Sequence, residues 1–131
     1  MSTPTIARNV PAKRILIVDD EPPVCAALRM VLVASGHDVE VAEDAPAALR
    51  AFEVGKHDLI ITDYALGKMT GLDLAESIRK HFPKQPIIMI SAYAESLALR
   101  NERLSNINIL MGKPFSLAEI NDALAAVFPA N

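Results

Sequence analysis

Ile15-Leu16-Ile17-Val18-Asp19-Asp20 is a short aliphatic run that ends abruptly in two carboxylates. Three more stretches repeat the pattern: Leu59-Ile60-Ile61-Thr62 before Asp63, Ile87-Ile88-Met89-Ile90 before Ser91, and Ile107-Asn108-Ile109-Leu110-Met111-Gly112 before Lys113. Short apolar runs separated by helical patterns are the sequence signature of strands buried on both faces of a parallel sheet. All strands of such a sheet run the same way, so the residues that follow them gather at one edge. That is the edge where open α/β sheets bind ligands. Asp19, Asp20, Asp63, Ser91 and Lys113 are therefore expected to meet.

Strand and helix patterns alternate five times. Pro22-Pro23 opens a helix whose inner face reads Val24, Ala27, Leu28, Val31 and Leu32, with Gly36 placed as its C-cap. Asp38 to Ala42 alternates polar and apolar, as a strand exposed on one face does. Asp44 is placed to cap a helix carrying Ala48, Leu49 and Phe52 and ended by Gly55. After the third strand, residues 63–71 read as a loop, followed by a helix with Leu74, Ala75, Ile78 and Phe82 inward. A weaker helical pattern spans about 94–104. Ser116 and Glu119 form a capping box for a last helix with Leu117, Ile120, Leu124 and Val127 inward.

This order predicts an α/β fold: a doubly wound, five-stranded parallel sheet in the flavodoxin-like order 2-1-3-4-5. In that order the second strand is at an edge, so its end adds nothing to the site.

A chain of 131 residues is the size of one domain. Residues 1–12 read as a loosely ordered tail and 13–131 as the domain. The net charge of −3, with no basic stripe, argues against a nucleic-acid partner. The single cysteine, Cys25, excludes an internal disulfide framework and reads as a small buried hydrophobe. No apolar run reaches membrane-spanning length and no signal-peptide core is present, so a soluble cytoplasmic protein is expected; a monomer is expected as well. His37, His57 and His81 lack metal-ligand spacing. Arg79-Lys80 reads as complementing a helix dipole, and Met30, Met69, Met89 and Met111 as core filler.

Three carboxylates at one strand edge repel one another, and a hard divalent cation relieves that repulsion. Mg²⁺ takes a few carboxylates with waters and phosphate oxygens. Lys113 adds a point charge for phosphate and Ser91 a neutral donor. Nucleophilic carboxylate, cation and donors together are the parts needed to move a phosphoryl group onto Asp.

The motifs Ile17-Val18-Asp19-Asp20-Glu21, Ile61-Thr62-Asp63-Tyr64, Met69-Thr70-Gly71-Leu72-Asp73-Leu74, Ile90-Ser91-Ala92 and Lys113-Pro114-Phe115 resemble those of response regulator receiver domains, over residues 14 to about 128. The resemblance implies that Asp63 accepts a phosphoryl group from a phosphohistidine on a histidine kinase or phosphotransfer protein. It implies Mg²⁺ on Asp20, Asp63 and the Ala65 carbonyl, with Asp19 acting through water, and phosphoryl oxygens held by Ser91 and Lys113. The Lys113-Pro114 peptide is expected to be cis, because the lysine must turn back toward Asp63. Such a chain is a signalling acceptor rather than an enzyme.

Two positions depart from the family pattern. Gly67 stands where proline is usual, and Leu110 stands where an aromatic ring usually responds to phosphate, which puts output on the loops around Asp63 and Ser91. The short segment after the last helix favours a stand-alone receiver over a piece of a hybrid kinase. An aspartate-nucleophile phosphatase would carry an acid at position 65, which is Ala65. A nucleotide or flavin binder would carry a glycine-rich loop where Asp19-Asp20-Glu21-Pro22-Pro23 stands. A scaffold without the chemistry would not need the complete acidic set.

Overall fold

Side chains alternate across a strand, and in this chain the alternation sorts the aliphatic residues into two layers. A computed structural model describes residues 10–100 and 102–129. Strands β1 (Arg14–Val18), β2 (Asp38–Ala42) and β3 (Leu59–Asp63) are followed by a small hairpin of β4 (Ala65–Leu66) and β5 (Met69–Thr70). Strands β6 (Ile87–Ser91) and β7 (Ile109–Gly112) complete the main sheet. Its order is β2-β1-β3-β6-β7, every pairing parallel. Counting main-sheet strands alone, this is the order 2-1-3-4-5 expected from the sequence.

Helices α1 (Pro22–Ala34) and α5 (Leu117–Val127) cover one face. Their Cys25, Leu28, Leu32, Ile120, Ala123 and Leu124 pack on Ile15, Ile17, Leu59, Ile61, Ile88 and Ile90. Helices α2 (Ala45–Gly55) and α3 (Gly71–His81) cover the other, through Ala48, Phe52, Leu74, Ala75 and Ile78 against Leu16, Val18, Ile60 and Ile87. Helix α4 (Ala94–Arg100) adds Leu97 to a third cluster with Leu72 and Met89. Each fully buried Leu or Ile contributes about 1.5–3 kcal/mol. A one-residue slip of β3 would turn its aliphatic residues to the wrong layers, so the register is firmly set.

Several helix faces differ from the sequence reading in an instructive way. The buried stripe of α1 runs Cys25, Leu28, Leu32, and Ala27 is exposed one step round the helix. Met30 on the outer side is 71% exposed, so it is not core filler. Leu117, at the first position of α5, is also exposed. Phe82 ends α3 half in solvent but sets its ring edge-on to Phe52. The 94–104 pattern splits into α4 and a 3-10 turn at Glu102–Asn106. The last strand begins two residues later than expected, because Asn108 is taken up otherwise: its Oδ1 accepts from Ile87 N and from an Arg79 guanidinium nitrogen, each at 2.8 Å. Arg79 Nε also donates to the Gln85 carbonyl, so this arginine ties the chain ahead of β6 rather than only meeting a helix dipole.

The helix-start signals read from the sequence, Pro22-Pro23, Asp44 and Ser116/Glu119, are all used, and the structure adds one that the sequence reading missed. Asp44 accepts from Ala47 N, and the Ser116/Glu119 capping box is complete. Thr70 and Asp73 form a second box at α3. The Lys113-Pro114 peptide is cis. The expected tail at 1–12 lies outside the described residues as far as position 9; Val10 packs against the α1–α5 core. No helix among the described residues is long and apolar enough to cross a membrane.

Two histidines are structural. His57 Nε2 pairs with Glu40 Oε1 at 2.8 Å, while its buried Nδ1 has no hydrogen-bond partner among the described residues. His37 Nδ1 accepts the Lys13 backbone N–H at 3.0 Å, which requires that nitrogen unprotonated. Burial first, and the Lys13 cation second, hold His37 below the ordinary histidine value. A depressed folded-state pKa gives stability that is complete above the unfolded value, near pH 6.5, and is lost as pH falls through the folded value. Urea midpoints at pH 7.5 and 5 should therefore fall further for the native chain than for His37→Asn. An equal fall in both would show that His37 is not responsible.

Candidate functional site

The same alternation that builds the α1–α5 layer delivers the polar residues at its upper rim. Asp19 continues the series Ile15, Ile17, Asp63 continues Leu59, Ile61, and Lys113 continues Ile109, Met111, all members of or packed against one cluster. Val18 is in register with Thr62 and Asp63 with Ile90, so Asp19 stands beside Asp63 across adjacent strands. Ser91 ends β6, pairs with Gly112, and its carbonyl accepts the Lys113 N–H at 3.0 Å. The sequence thus brings Asp19, Asp20, Asp63, Ser91 and Lys113 together as expected.

The carboxylates of Asp19, Asp20 and Asp63 each offer an oxygen within 4.8 Å of the others. Asp19 and Asp63 are buried and Asp20 is exposed. Lys113 Nζ lies 3.4 Å from Asp63 Oδ2, 3.5 Å from Asp19 Oδ2 and 3.0 Å from Glu21 Oε1. Burial raises the Asp19 carboxyl above its ordinary range; the Glu21 N–H opposes this, and the Asp63 charge adds to it. Burial alone would lower Lys113, but its bond to Glu21 and the charges of Asp19 and Asp63 leave it raised and firmly cationic.

A divalent cation fits this donor set. The three oxygens are hard and close together, and one lysine leaves the acidic excess incompletely balanced. Asp19 Oδ1 already accepts from Glu21 N at 2.9 Å and Oδ2 faces Lys113, so its lone pairs are the most committed. Asp20 has no hydrogen-bond partner among the described residues, and its exposed carboxylate is open to a ligand.

Around this centre the backbone is tightly held. Tyr64 N donates to the Ile90 carbonyl, Gly71 N donates to the Tyr64 carbonyl at 2.7 Å, and β4 and β5 fold the intervening chain into a hairpin. The segment read as a loop is thus partly paired, with Gly67 at φ +86 at its tip. A Cβ at Gly71 would collide with the Asp63 carbonyl oxygen, so only glycine lets α3 start this close to the acidic centre. Ser91 Oγ accepts the Tyr93 N–H at 2.9 Å, and the Tyr93 carbonyl in turn accepts Leu97 N in α4. Leu110 is half-buried against Leu72, Met89 and Leu97.

Two participants escaped the sequence reading. Glu21 was visible only as the third acid of a motif, and nothing local foretold its reach across 92 positions to Lys113. Arg103 was unremarkable in a weak pattern, yet its guanidinium meets Asp73 Oδ1 at 2.8 Å and so links the 3-10 turn to the capping box of α3. That bond and the Thr70 N–H hold the Asp73 carboxyl below its ordinary range, the Thr70 contribution being the larger.

Comparison with known proteins agrees with this geometry. The family described as response regulator receiver domain matches residues 15–125. The alkaline phosphatase synthesis transcriptional regulatory protein PhoP of Bacillus subtilis strain 168 is 35% identical over 115 residues, or 88% of this chain and 48% of that protein. The aerobic respiration control sensor protein ArcB of Escherichia coli K12 is 30% identical over 110 residues, 82% of this chain and 14% of ArcB. The chain thus spans about half the length, or less, of these curated relatives. Among solved structures, the response regulator protein TrrA of Thermotoga maritima, in complex with Mg²⁺-BeF, has a TM-score of 0.81 at 30% identity, over 88% of this chain and 98% of TrrA.

Gly71→Ala tests the packing of the site. The added methyl group must push against backbone, so a loss of about 1–3 kcal/mol is expected by urea denaturation. The Asp63 and Tyr64 amide resonances should shift with it. Unchanged stability and unchanged resonances would show that the close approach is not needed.

Proposed function

The chain belongs to the response regulator receiver family, and from that premise we propose that it is a Mg²⁺-dependent acceptor of phosphoryl groups, with Asp63 as the residue modified. The observation that carries the proposal is the register that sets buried Asp63 beside Asp19 with the Lys113 ammonium 3.4 Å away. Of the three acids, Asp63 alone is both buried at the end of the central strand and in reach of Lys113 and the other two carboxylates.

A carboxylate oxygen of Asp63 would attack the phosphorus of a phosphohistidine on a histidine kinase or phosphotransfer protein. The O–P bond forms as the N–P bond breaks, and the imidazole leaves with the electron pair and takes a proton from solvent. Bound Mg²⁺ would neutralise charge on the phosphoryl oxygens, held by Asp20, Asp63 and the Ala65 carbonyl, with Asp19 acting through water. Lys113 supplies a cation to one phosphoryl oxygen and Ser91 a hydroxyl donor to another. The order of Asp20 before Asp19 is supported by exposure: Asp20 is open, and both oxygens of Asp19 are already engaged.

The product is a modified protein, so the chain acts as a signalling acceptor rather than a turnover enzyme, alone or within a longer polypeptide. Output would leave through Ser91. Its hydroxyl is one hydrogen bond from Tyr93, whose carbonyl is bonded into the start of α4. Leu110 offers no ring to reorient, so the turn after β6 and the hairpin after Asp63 are the elements whose contacts change. A population shifts only by the difference in affinity between its states, and these are the elements that touch the phosphoryl group.

Incubation with Mg²⁺ and acetyl phosphate, followed by intact mass, tests the proposal. One phosphate adduct is expected on the native chain, and none on Asp63→Asn or after chelation of the metal. Equal labelling of the Asn variant would refute Asp63 as the acceptor.

A further inference from the structure

Glu21 occupies the N-cap position of α1 without using its side chain as a cap. The reason lies in the sequence that follows. Glutamate is not among the good N-cap residues, and Pro22 and Pro23 bring no N–H to be capped. The first available donors, Val24 N and Cys25 N, already reach the Glu21 carbonyl at 3.0 and 3.1 Å. The helix start is satisfied by backbone alone, which leaves the carboxylate for other use.

That carboxylate goes to Lys113 Nζ at 3.0 Å, closer than Asp63 at 3.4 Å or Asp19 at 3.5 Å. An ammonium has three donors, and three carboxylates surround this one. A phosphoryl group arriving on Asp63 must take one of those places. Asp19 and Asp63 are buried and cannot be released to water, whereas the Glu21 side chain is 58% exposed and can. Its negative charge, exposed and 3.0 Å from the same ammonium, also repels an anionic donor.

Resting on Asp63 as the acceptor, we infer that Glu21 is a positioning residue that restrains phosphorylation: its carboxylate competes with the incoming phosphoryl group for the Lys113 ammonium. The half-exposed pair is screened, which keeps the restraint modest. Exposed ion pairs contribute about 0.2–1 kcal/mol, so removing the competitor should raise the phosphorylation rate by about 1.4- to fivefold.

Initial rates of adduct formation with acetyl phosphate in saturating Mg²⁺ test this, for the native chain, Glu21→Gln, Glu21→Asp and Asp63→Asn. Glu21→Gln should be faster by the factor above. Glu21→Asp should also be faster, because a carboxylate one methylene shorter withdraws from Nζ while keeping its charge. The advantage of both should shrink in about 0.5 M salt, where screening weakens the competing contact. A native rate in Glu21→Gln, with the adduct confined to Asp63, overturns this inference and leaves the acceptor assignment standing. So does a rate advantage of Glu21→Gln that disappears when Mg²⁺ is raised further, because it then reports metal affinity and not competition for Lys113. Absence of any adduct on the native chain, or labelling of Asp63→Asn, overturns the acceptor assignment and the inference with it.

Discussion

Two carboxylates buried side by side at the ends of neighbouring strands would be strongly unfavourable without a cation between them, and Lys113 is the protein's own answer. Its ammonium lies within 3.5 Å of both Asp19 and Asp63. Taking an unpaired ion out of water costs about several kcal/mol even after relaxation, so the lysine cannot be moved without reorganising the site. The rest of the molecule serves that placement. Strand β7 must lie next to β6, its last side chain must fall on the α1–α5 face, and the Ser91 carbonyl must receive the Lys113 N–H. Fold and chemistry are thus set by the same alternation of side chains.

The balance is deliberately incomplete in the chemical sense. Asp19, Asp20 and Asp63 outnumber the lysine, Asp20 faces solvent, and a hard cation fits the gap. A site held short of neutrality favours a divalent cation, and a cation there offsets the negative charge of a phosphoryl group. Glu21 belongs to the same balance from outside. It satisfies Lys113 when no phosphoryl group is present and can yield its place at little desolvation cost, because it is already largely in water. Around the centre, glycine at position 71 and the hairpin of β4 and β5 keep the backbone after Asp63 close and ordered.

The main sheet and the site were legible because both depend on local pattern. Aliphatic runs mark parallel strands wherever they occur, and the polar residue closing each run must come to the same edge. The capping box at Ser116 and the cap at Asp44 were equally readable, since each involves residues three apart. Long-range partnerships were not. Nothing near Glu21 names Lys113, nothing near Arg103 names Asp73, and Asn108 looked like a strand residue until Ile87 and Arg79 claimed its side chain. Helix faces were misjudged where small or flexible residues blur the stripe: Ala27 and Met30 lie outside, although Cys25 is buried as its setting among Val24, Leu28 and Leu32 indicated. The hairpin after Asp63 was hidden because two-residue strands carry no periodicity.

The central claim is that one phosphoryl group and one divalent cation share the rim formed by Asp20, Asp63, Ser91 and Lys113. A crystal structure of the chain with Mg²⁺ and beryllofluoride tests it most directly. The account predicts beryllium on an Asp63 carboxylate oxygen, the metal on Asp20 and Asp63, and Lys113 Nζ turned from Glu21 toward a fluorine. Beryllofluoride on any other carboxylate, or a metal bound away from Asp63, would contradict it.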